Sequence, residues 1–180
     1  GKMPYEYILT QEDDDVGILT LNRPDELNSA HFGMWVEARD AMQKWTDSEH
    51  IGCIVLTGAG PAWTMGSDPN QWNEHRDSGD FIQNMRHRIY DVENFWTFVQ
   101  RQKPIVAAIN GLAMGNGVTH AACCDIRIAS ERARFVLTMV YGGATPDLMG
   151  CWQLPMIVGL GRAMEMILLG KNMSACEALE

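Results

Sequence analysis

The sequence is short of basic residues and of cysteine, and each shortage argues against a class of function. Lysine and arginine together number 14 against 23 aspartate and glutamate residues, for a net charge of −9. Because phosphate-rich surfaces repel such a chain, we expect no nucleic acid and no membrane as a partner. The five cysteines show no CxxC spacing and stand in apolar surroundings. They are therefore predicted to be free buried thiols in a reducing cytoplasm.

Long apolar runs, clustered metal ligands and nucleotide-binding motifs are missing as well. No run approaches the roughly 18–20 apolar residues of a membrane helix, and we expect no leader because no charged-then-apolar stretch opens the chain. The five histidines are scattered, so no metal site is predicted. The glycine loop Thr57–Pro61 lacks the Lys-Ser/Thr of a P-loop, and no GxGxxG follows it. A chain of 180 residues is long enough for one buried core and short for two.

Strand and helix patterns alternate along the chain, which is typical of an α/β fold with βαβ connections. Short apolar runs predict strands over Tyr7–Thr10, Val16–Leu21, Cys53–Leu56, Ile105–Ile109, Asp125–Ala129 and Arg134–Leu137. Helical spacing predicts helices over about Ala30–Trp45, Gly79–Val99, Val118–Cys124 and Arg162–Leu169, and one more that Ser174 and Glu177 cap. Asn28 or Ser29 is the expected N-cap of the first helix. The core positions predicted in that helix are Phe32, Trp35, Val36, Ala38, Met42 and Trp45.

The stretch Lys103–Ile128 organises the sequence. Its strand ends at a turn signal, Asn110-Gly111, and Gly115-Asn116-Gly117 then precedes a helix of small residues. A strand, a glycine turn and a helix start leave main-chain N–H groups free at the positive end of a helix. Such donors suit an anion, either a phosphate or the oxygen of a polarised thioester. The alternative is a tight turn whose glycines only allow helix and strand to pack closely.

An ordered set of short motifs carries a resemblance to a known family. The motifs are Leu21-Asn22-Arg23-Pro24 with Leu27-Asn28, Val55-Leu56-Thr57-Gly58, Gly66-Ser67-Asp68, Lys103-Pro104 through Asn110-Gly111, Asp125-Ile126, Phe135, Gly159 and Arg162-Ala163-Met164-Glu165. With this spacing the sequence resembles the crotonase family, the enoyl-CoA hydratase/isomerase fold, over about residues 5–180. The resemblance implies a stacked ββα spiral in a single core domain over residues 1–180. Family members usually run further, so their C-terminal trimerisation helices are not expected in this chain.

The resemblance also implies a site built from main-chain groups. In the family, two N–H groups bind the thioester carbonyl oxygen and stabilise an enolate, and by position they belong to Ser67 and Asn116. This agrees with the free donors inferred above from the glycine turn. Family members usually have glycine at both 115 and 116, yet Asn116 still supplies a main-chain donor. The substrate-binding positions beside the two donors are Met65, Gly66, Asp68, Gly115 and His120.

The acid/base positions are where the match with the family ends. Hydratases use two glutamates that flank the double bond, and the catalytic positions hold Thr119 and Met139 here. Since neither side chain takes up a proton at neutral pH, hydration by a glutamate pair is not expected. Asp147 is the best substitute, because a family dehalogenase has its nucleophilic aspartate there and diketone hydrolases have one a residue away. The alternative is that Asp147 only caps a helix after Pro146.

Two of the implied substrate-binding residues have competing interpretations. His120 follows Thr119, and adjacent helix positions face about 100° apart, which favours packing away from the cleft. Asp68 is either a substrate contact or a carboxylate that stabilises its own loop.

The function that the resemblance implies is that of a lyase or isomerase of fatty acid metabolism, acting on an acyl-CoA thioester through an enolate. CoA would enter as part of the substrate, with no other cofactor, and the family implies a homotrimer or a dimer of trimers. One alternative is a carbon–carbon hydrolase of a cyclic diketone, which needs the same donors but no CoA. Another is a non-catalytic member that binds acyl-CoA, which Thr119 and Met139 would favour.

Overall fold

The fold is taken from a computed structural model and is described for residues 5–68, 70 and 103–180. The helix predicted over Gly79–Val99 lies outside these residues. The strands are β1 (Ile8–Asp13), β2 (Val16–Leu21), β3 (Cys53–Gly58), β4 (Ala62–Thr64), β5 (Ile105–Ile109), β6 (Leu112–Met114), β7 (Ile126–Ala129), β8 (Arg134–Val136) and β9 (Asn172–Ser174). The α-helices are α1 (Phe32–Asp47), α2 (Asn116–Cys123), α3 (Gly150–Val158), α4 (Leu160–Leu169) and α5 (Ala175–Leu179).

These strands form two sheets that the chain builds in alternation. The first has the order β1-β2-β3-β5-β7, antiparallel between β1 and β2 and parallel elsewhere. The second has the order β4-β6-β8-β9, antiparallel between β8 and β9 and parallel elsewhere. Along the chain, each of β3, β5 and β7 is followed by a strand of the second sheet, and helix α2 follows β6. This alternation agrees with the stacked ββα spiral implied by the resemblance.

The predicted bounds of β2 and β5 are confirmed, because apolar runs mark buried strands well. β5 buries Ile105, Ala107 and Ile109 in the core. The core cluster contains Leu19 and Leu21 of β2, Ile54 and Leu56 of β3, and the buried residues of α1. The core therefore fixes β5, and β5 leads directly into the loops of the candidate site.

The first helix differs from its prediction at its start and on one face. Its N-cap is His31, whose ring nitrogen accepts from the N–H of Gly33 at 3.1 Å. Asn28 is not available for capping, because its Oδ1 accepts from the N–H of Arg23 and its Nδ2 donates to the main-chain oxygens of Ala59 and Ala62. Two predicted core residues of α1, Phe32 and Val36, are exposed. The buried residues of this helix are Met34, Trp35, Ala38, Ala41, Met42 and Trp45.

Two short strands beside the site were not predicted. Trp63 and Thr64 are buried in β4, and β4 pairs in parallel with β6. Strands of three residues are too short to show periodicity, and here the pairing partner lies about fifty residues away along the chain. The β4-β6 pairing carries residues 65–68 and residues 115–117 to the same end of the second sheet.

The C-terminal helices expose much of their apolar surface. Helix α3 was not predicted, because Pro155 stands inside it and proline usually ends a helix. Exposed apolar side chains in and next to α3 and α4 are Met149, Trp152, Met156, Ile157, Leu160, Met164, Leu168 and Leu169. Over the part of the chain described, no helix has both the length and the apolarity needed to cross a bilayer.

Candidate active site

The two loops predicted to supply donors meet at Gly66. The φ angle of Gly66 is +89°, a conformation that glycine adopts without strain. A Cβ built there would lie 2.5 Å from the main-chain oxygen of Met114 and 3.3 Å from the main-chain nitrogen of Asn116. The loop after β4 therefore packs directly against the start of α2, and only glycine fits at the contact.

The main-chain N–H groups of Ser67 and Asn116 lie on either side of this contact. Ser67 forms a parallel bridge with Ala30, in which the N–H of Ala30 donates to the oxygen of Gly66 at 2.7 Å. In such a bridge the opposed residue directs its own N–H to the other side. Asn116 is the first residue of α2, and first-turn N–H groups have no acceptor within a helix. Among the described residues, neither amide donates to another main-chain oxygen outside the regular ladders.

Gly115 and Asn116 shape the start of α2. Gly115 is the N-cap of α2 and has a φ angle of +54°. Helix α2 begins at Asn116, two residues earlier than the predicted start at Val118. The side-chain nitrogen Nδ2 of Asn116 donates to Oγ of Ser67 at 3.0 Å. Met65, also predicted at the site, donates its main-chain N–H to the oxygen of Leu27 at 2.9 Å, which holds the incoming loop.

Asp147 contacts Thr119, one of the two residues that the resemblance places at the acid/base positions. The hydroxyl Oγ1 of Thr119 lies 2.6 Å from Oδ1 of Asp147 and 3.0 Å from the main-chain oxygen of Asn116. Asp147 is half-buried and comes to α2 from a loop 28 residues further along the chain. The carboxylate of Asp147 therefore contacts the hydroxyl of Thr119 near the start of α2, the helix whose first residue packs against Gly66.

Asp147 is not the N-cap residue of the helix after Pro146. The N-cap of α3 is Met149, whose side chain makes no capping hydrogen bond. Leu148 and Met149 both have positive φ angles, +46° and +61°, which for residues other than glycine costs of order 1 kcal/mol each. At Gly150 a Cβ would lie 2.6 Å from Cγ2 of Thr119, so α3 starts in close contact with α2. The strained turn at Leu148 and Met149 thus separates Asp147, which contacts Thr119, from the start of α3.

Met139 is the other residue at a predicted acid/base position. It begins the 3-10 turn Met139–Gly142, is partly buried and packs against the core cluster. Its side chain has no acidic or basic group. Met139 thus offers no group that could carry a proton.

Asp68 has the contacts of a loop-stabilising carboxylate. Its side chain is only 5% exposed and lies 2.9 Å from Nη1 of Arg23. Oγ of Ser29 is 3.4 Å from the same carboxylate oxygen, and the N–H of Asn70 donates to the other oxygen at 3.0 Å. These contacts occupy both carboxylate oxygens, so they support the loop interpretation over substrate binding. The sequence shows Arg23 only as part of the motif Leu21–Pro24. Its role as counter-charge depends on Asp68, which lies 45 residues away along the chain.

We expect replacement of Arg23 by methionine to destabilise the protein by about 3 kcal/mol, because it leaves Asp68 buried without its counter-charge. Urea unfolding would measure the loss. Arg162→Met is the matched control, since Arg162 pairs with Glu165 at 3.0 Å with 49% and 32% of the side chains exposed. Its cost should stay below about 1 kcal/mol. Equal losses for the two variants would contradict the structural role given to Arg23.

His120 is in the core, which does not agree with the substrate-binding prediction. Its imidazole is fully buried and stacks on Trp35, with the ring centroids 4.3 Å apart. It follows Thr119 on α2 and faces α1, as the 100° step between adjacent helix positions favours. Burial lowers the pKa of His120 from 6.5 to about 3, because the charged form loses its hydration.

This shift makes folding stability depend on pH. The unfolded chain takes up the proton below pH 6.5 and the folded chain does not, so stability should fall as the pH drops toward 3. Between pH 6.5 and 5 the loss would be about 2 kcal/mol. In His120→Phe, which keeps an aromatic ring against Trp35, this part of the pH dependence should vanish. His50→Gln, at an exposed site, should retain this part of the pH dependence. If the free energy of unfolding falls between pH 6.5 and 5 by the same amount in His120→Phe as in the wild type, the assignment is refuted.

The sequence was compared with known families and curated proteins. The family described as enoyl-CoA hydratase/isomerase matches residues 11–180. The 1,2-epoxyphenylacetyl-CoA isomerase of Escherichia coli (strain K12) is 36% identical over 180 residues, covering 97% of this chain and 67% of that protein. The short-chain-enoyl-CoA hydratase of Clostridium acetobutylicum is 32% identical over 178 residues, covering 98% and 67%.

Solved structures show the same similarity in three dimensions. An enoyl-CoA hydratase from Bacillus anthracis superposes with a TM-score of 0.88 at 31% identity, covering 96% of this chain and 66% of that one. An enoyl-CoA hydratase subunit from Geobacillus kaustophilus gives a TM-score of 0.85 at 33% identity, covering 97% and 65%. The chain therefore spans about two thirds of the length of the relatives that it matches.

Proposed function

The chain belongs to the enoyl-CoA hydratase/isomerase family, and from that premise we propose that it isomerises an acyl-CoA thioester through an enolate. The observation that carries the proposal is the 2.6 Å contact between Thr119 and Asp147 at the start of α2. In this proposal, the carboxylate of Asp147 takes the place of the glutamate pair that hydratases use.

The proposed oxyanion hole consists of the main-chain N–H groups of Ser67 and Asn116. A thioester carbonyl bound between them becomes negatively charged when a neighbouring carbon loses a proton. Each preorganised donor of this kind lowers the barrier by roughly 3–4 kcal/mol, because the donor is already oriented when the charge develops. Because the donors are main-chain groups, alanine substitutions at positions 67 and 116 would retain both N–H groups.

Asp147 is the proposed base. Its carboxylate takes a proton from the acyl chain, the C–H electron pair moves into the thioester as the enolate, and the same proton returns to another carbon. Isomerisation needs only this one shuttling group. Hydration would need a second group to hold and activate a water, and neither Thr119 nor Met139 is an acid or a base at neutral pH.

Thr119 is proposed to hold Asp147 in both protonation states. Its hydroxyl has one hydrogen and two acceptors within reach, Oδ1 of Asp147 and the oxygen of Asn116. When Asp147 is ionised, the hydroxyl donates to the carboxylate. When Asp147 carries the substrate proton, Asp147 donates to Thr119 and the hydroxyl turns to Asn116. Asp147 thus keeps its position throughout the proton transfer.

Further support comes from the name of one relative. The Escherichia coli protein at 36% identity is an isomerase of a CoA thioester. Other relatives are hydratases, so family membership alone does not distinguish the two reactions. Among the described residues, Asp147 is the carboxylate that hydrogen-bonds to Thr119, and this favours isomerisation.

The test is incubation of the chain with an enoyl-CoA thioester in deuterated water, followed by mass spectrometry and NMR. We expect the double bond to move along the acyl chain. The proton that is removed should either return to the product or be replaced by deuterium on the carbon beside the carbonyl. A 3-hydroxyacyl product would instead indicate a hydratase. Binding without turnover would indicate a non-catalytic acyl-CoA-binding member, and no binding at millimolar thioester would favour a diketone hydrolase.

A further inference from the structure

The side chain of Asn116 links the two residues that would carry the oxyanion hole. Its Nδ2 donates to Oγ of Ser67 at 3.0 Å, across 49 residues of sequence. Both partners of this bond also own one of the two proposed main-chain donors. We infer that Asn116 is a positioning residue, whose side-chain amide holds the N–H of Ser67 at a fixed distance from its own N–H.

The surroundings of the link explain why a side-chain bond is needed. At Gly66 the two segments touch through main-chain atoms, and a Cβ there would lie 3.2 Å from Oδ1 of Asn116. Ser67 itself is exposed, and its bridge to Ala30 uses the oxygen of Gly66 rather than its own N–H. The bond from Asn116 therefore restrains Ser67 on the side that faces α2.

The arrangement has a cost that points to function. Oδ1 of Asn116 is buried and accepts no hydrogen bond within the part of the chain described. A buried acceptor without a donor lowers stability, and a glycine at position 116 would avoid the loss while keeping the main-chain N–H. Asparagine has this cost, but it provides the hydrogen bond to Ser67 that glycine could not form.

This inference rests on the proposed function, and a double-mutant cycle tests it. Ser67→Ala and Asn116→Ala each remove the link and keep both main-chain donors. Each single variant should lower kcat for the acyl-CoA thioester about tenfold with KM unchanged, since the loss affects alignment rather than binding. The double variant should be no slower than either single variant. Additive losses, or unchanged kcat in both single variants, would overturn the inference.

Amide hydrogen exchange provides a readout that does not need activity. Exchange at residues 66–67 and 115–117 should become faster in both single variants, because the two segments are no longer tied together. Asn110→Ala is the control: its Nδ2 bonds the main-chain oxygens of Gly60 and Ala62, away from the link. That variant should leave kcat and exchange in these segments unchanged.

The two proposals fail in different ways. A wild-type chain that turns over no thioester would refute the proposed function, and the exchange measurement would still decide whether Asn116 restrains Ser67. An active wild type whose exchange is unaffected by both single variants would refute the positioning role alone.

Discussion

Replacing Asp147 with asparagine is expected to lower turnover of an acyl-CoA thioester at least a hundredfold and to leave its binding intact. Asparagine has the same shape and can still accept from the Thr119 hydroxyl at 2.6 Å, but it cannot take a proton. Loss of a positioned general base typically costs 10²–10⁴ in rate. Steady-state kinetics would give kcat, and titration calorimetry with the thioester would give the dissociation constant.

The control for this prediction is Asp125→Asn. Asp125 accepts from the main-chain N–H of Ile105 at 2.8 Å, at the start of β5 and away from the candidate site. Its replacement should change stability more than turnover. If Asp147→Asn folds with the thermal midpoint of wild type and turns over at the same rate, Asp147 has no part in the chemistry.

Replacing Gly66 with alanine should lower kcat by about a hundredfold, because the added methyl group forces the two donor loops apart. The methyl carbon would start 2.5 Å from the main-chain oxygen of Met114, which cannot rotate away, so the loop itself must move. A misplacement of about 1 Å in a catalytic group can cost this much. The effect should appear in kcat more than in KM, since the donors act on the developing charge.

Gly159→Ala separates this contact from backbone strain. Gly159 also has a positive φ angle, +77°, but a Cβ there would meet no atom within 4 Å. Both variants should therefore lose stability from the strained backbone, and only Gly66→Ala should lose turnover. Similar turnover in both variants would contradict the claim that the Gly66 contact aligns the donors.

The parts of the site that could be predicted from sequence are those with a local signal. Gly66 and Gly115 both have positive φ angles, and such glycines mark loops where main-chain N–H groups are exposed. The apolar run Ile105–Ile109 predicted the strand that leads to the helix start. Asp147 was predicted from its position in a family pattern, and its catalytic role stays a proposal.

The parts that could not be predicted depend on contacts between distant residues. The sequence left two interpretations of Asp68, a loop-stabilising carboxylate or a substrate contact. The hydrogen bond from Arg23, which is 45 residues away along the chain, supports the first. His120 also had two interpretations, substrate contact or packing away from the cleft, and its contact with Trp35 from α1 supports the second. Strand β4 has no periodicity of its own, because pairing with β6 is what makes it a strand.

By itself, the sequence determined the fold class, the family and the two loops that we propose supply the main-chain donors, because glycine positions and apolar spacing act within a few residues. Only the tertiary structure decided which side chains meet: Thr119 with Asp147, and Asn116 with Ser67. Those contacts span 28 and 49 residues and depend on how strands from two sheets pair, which no local pattern encodes.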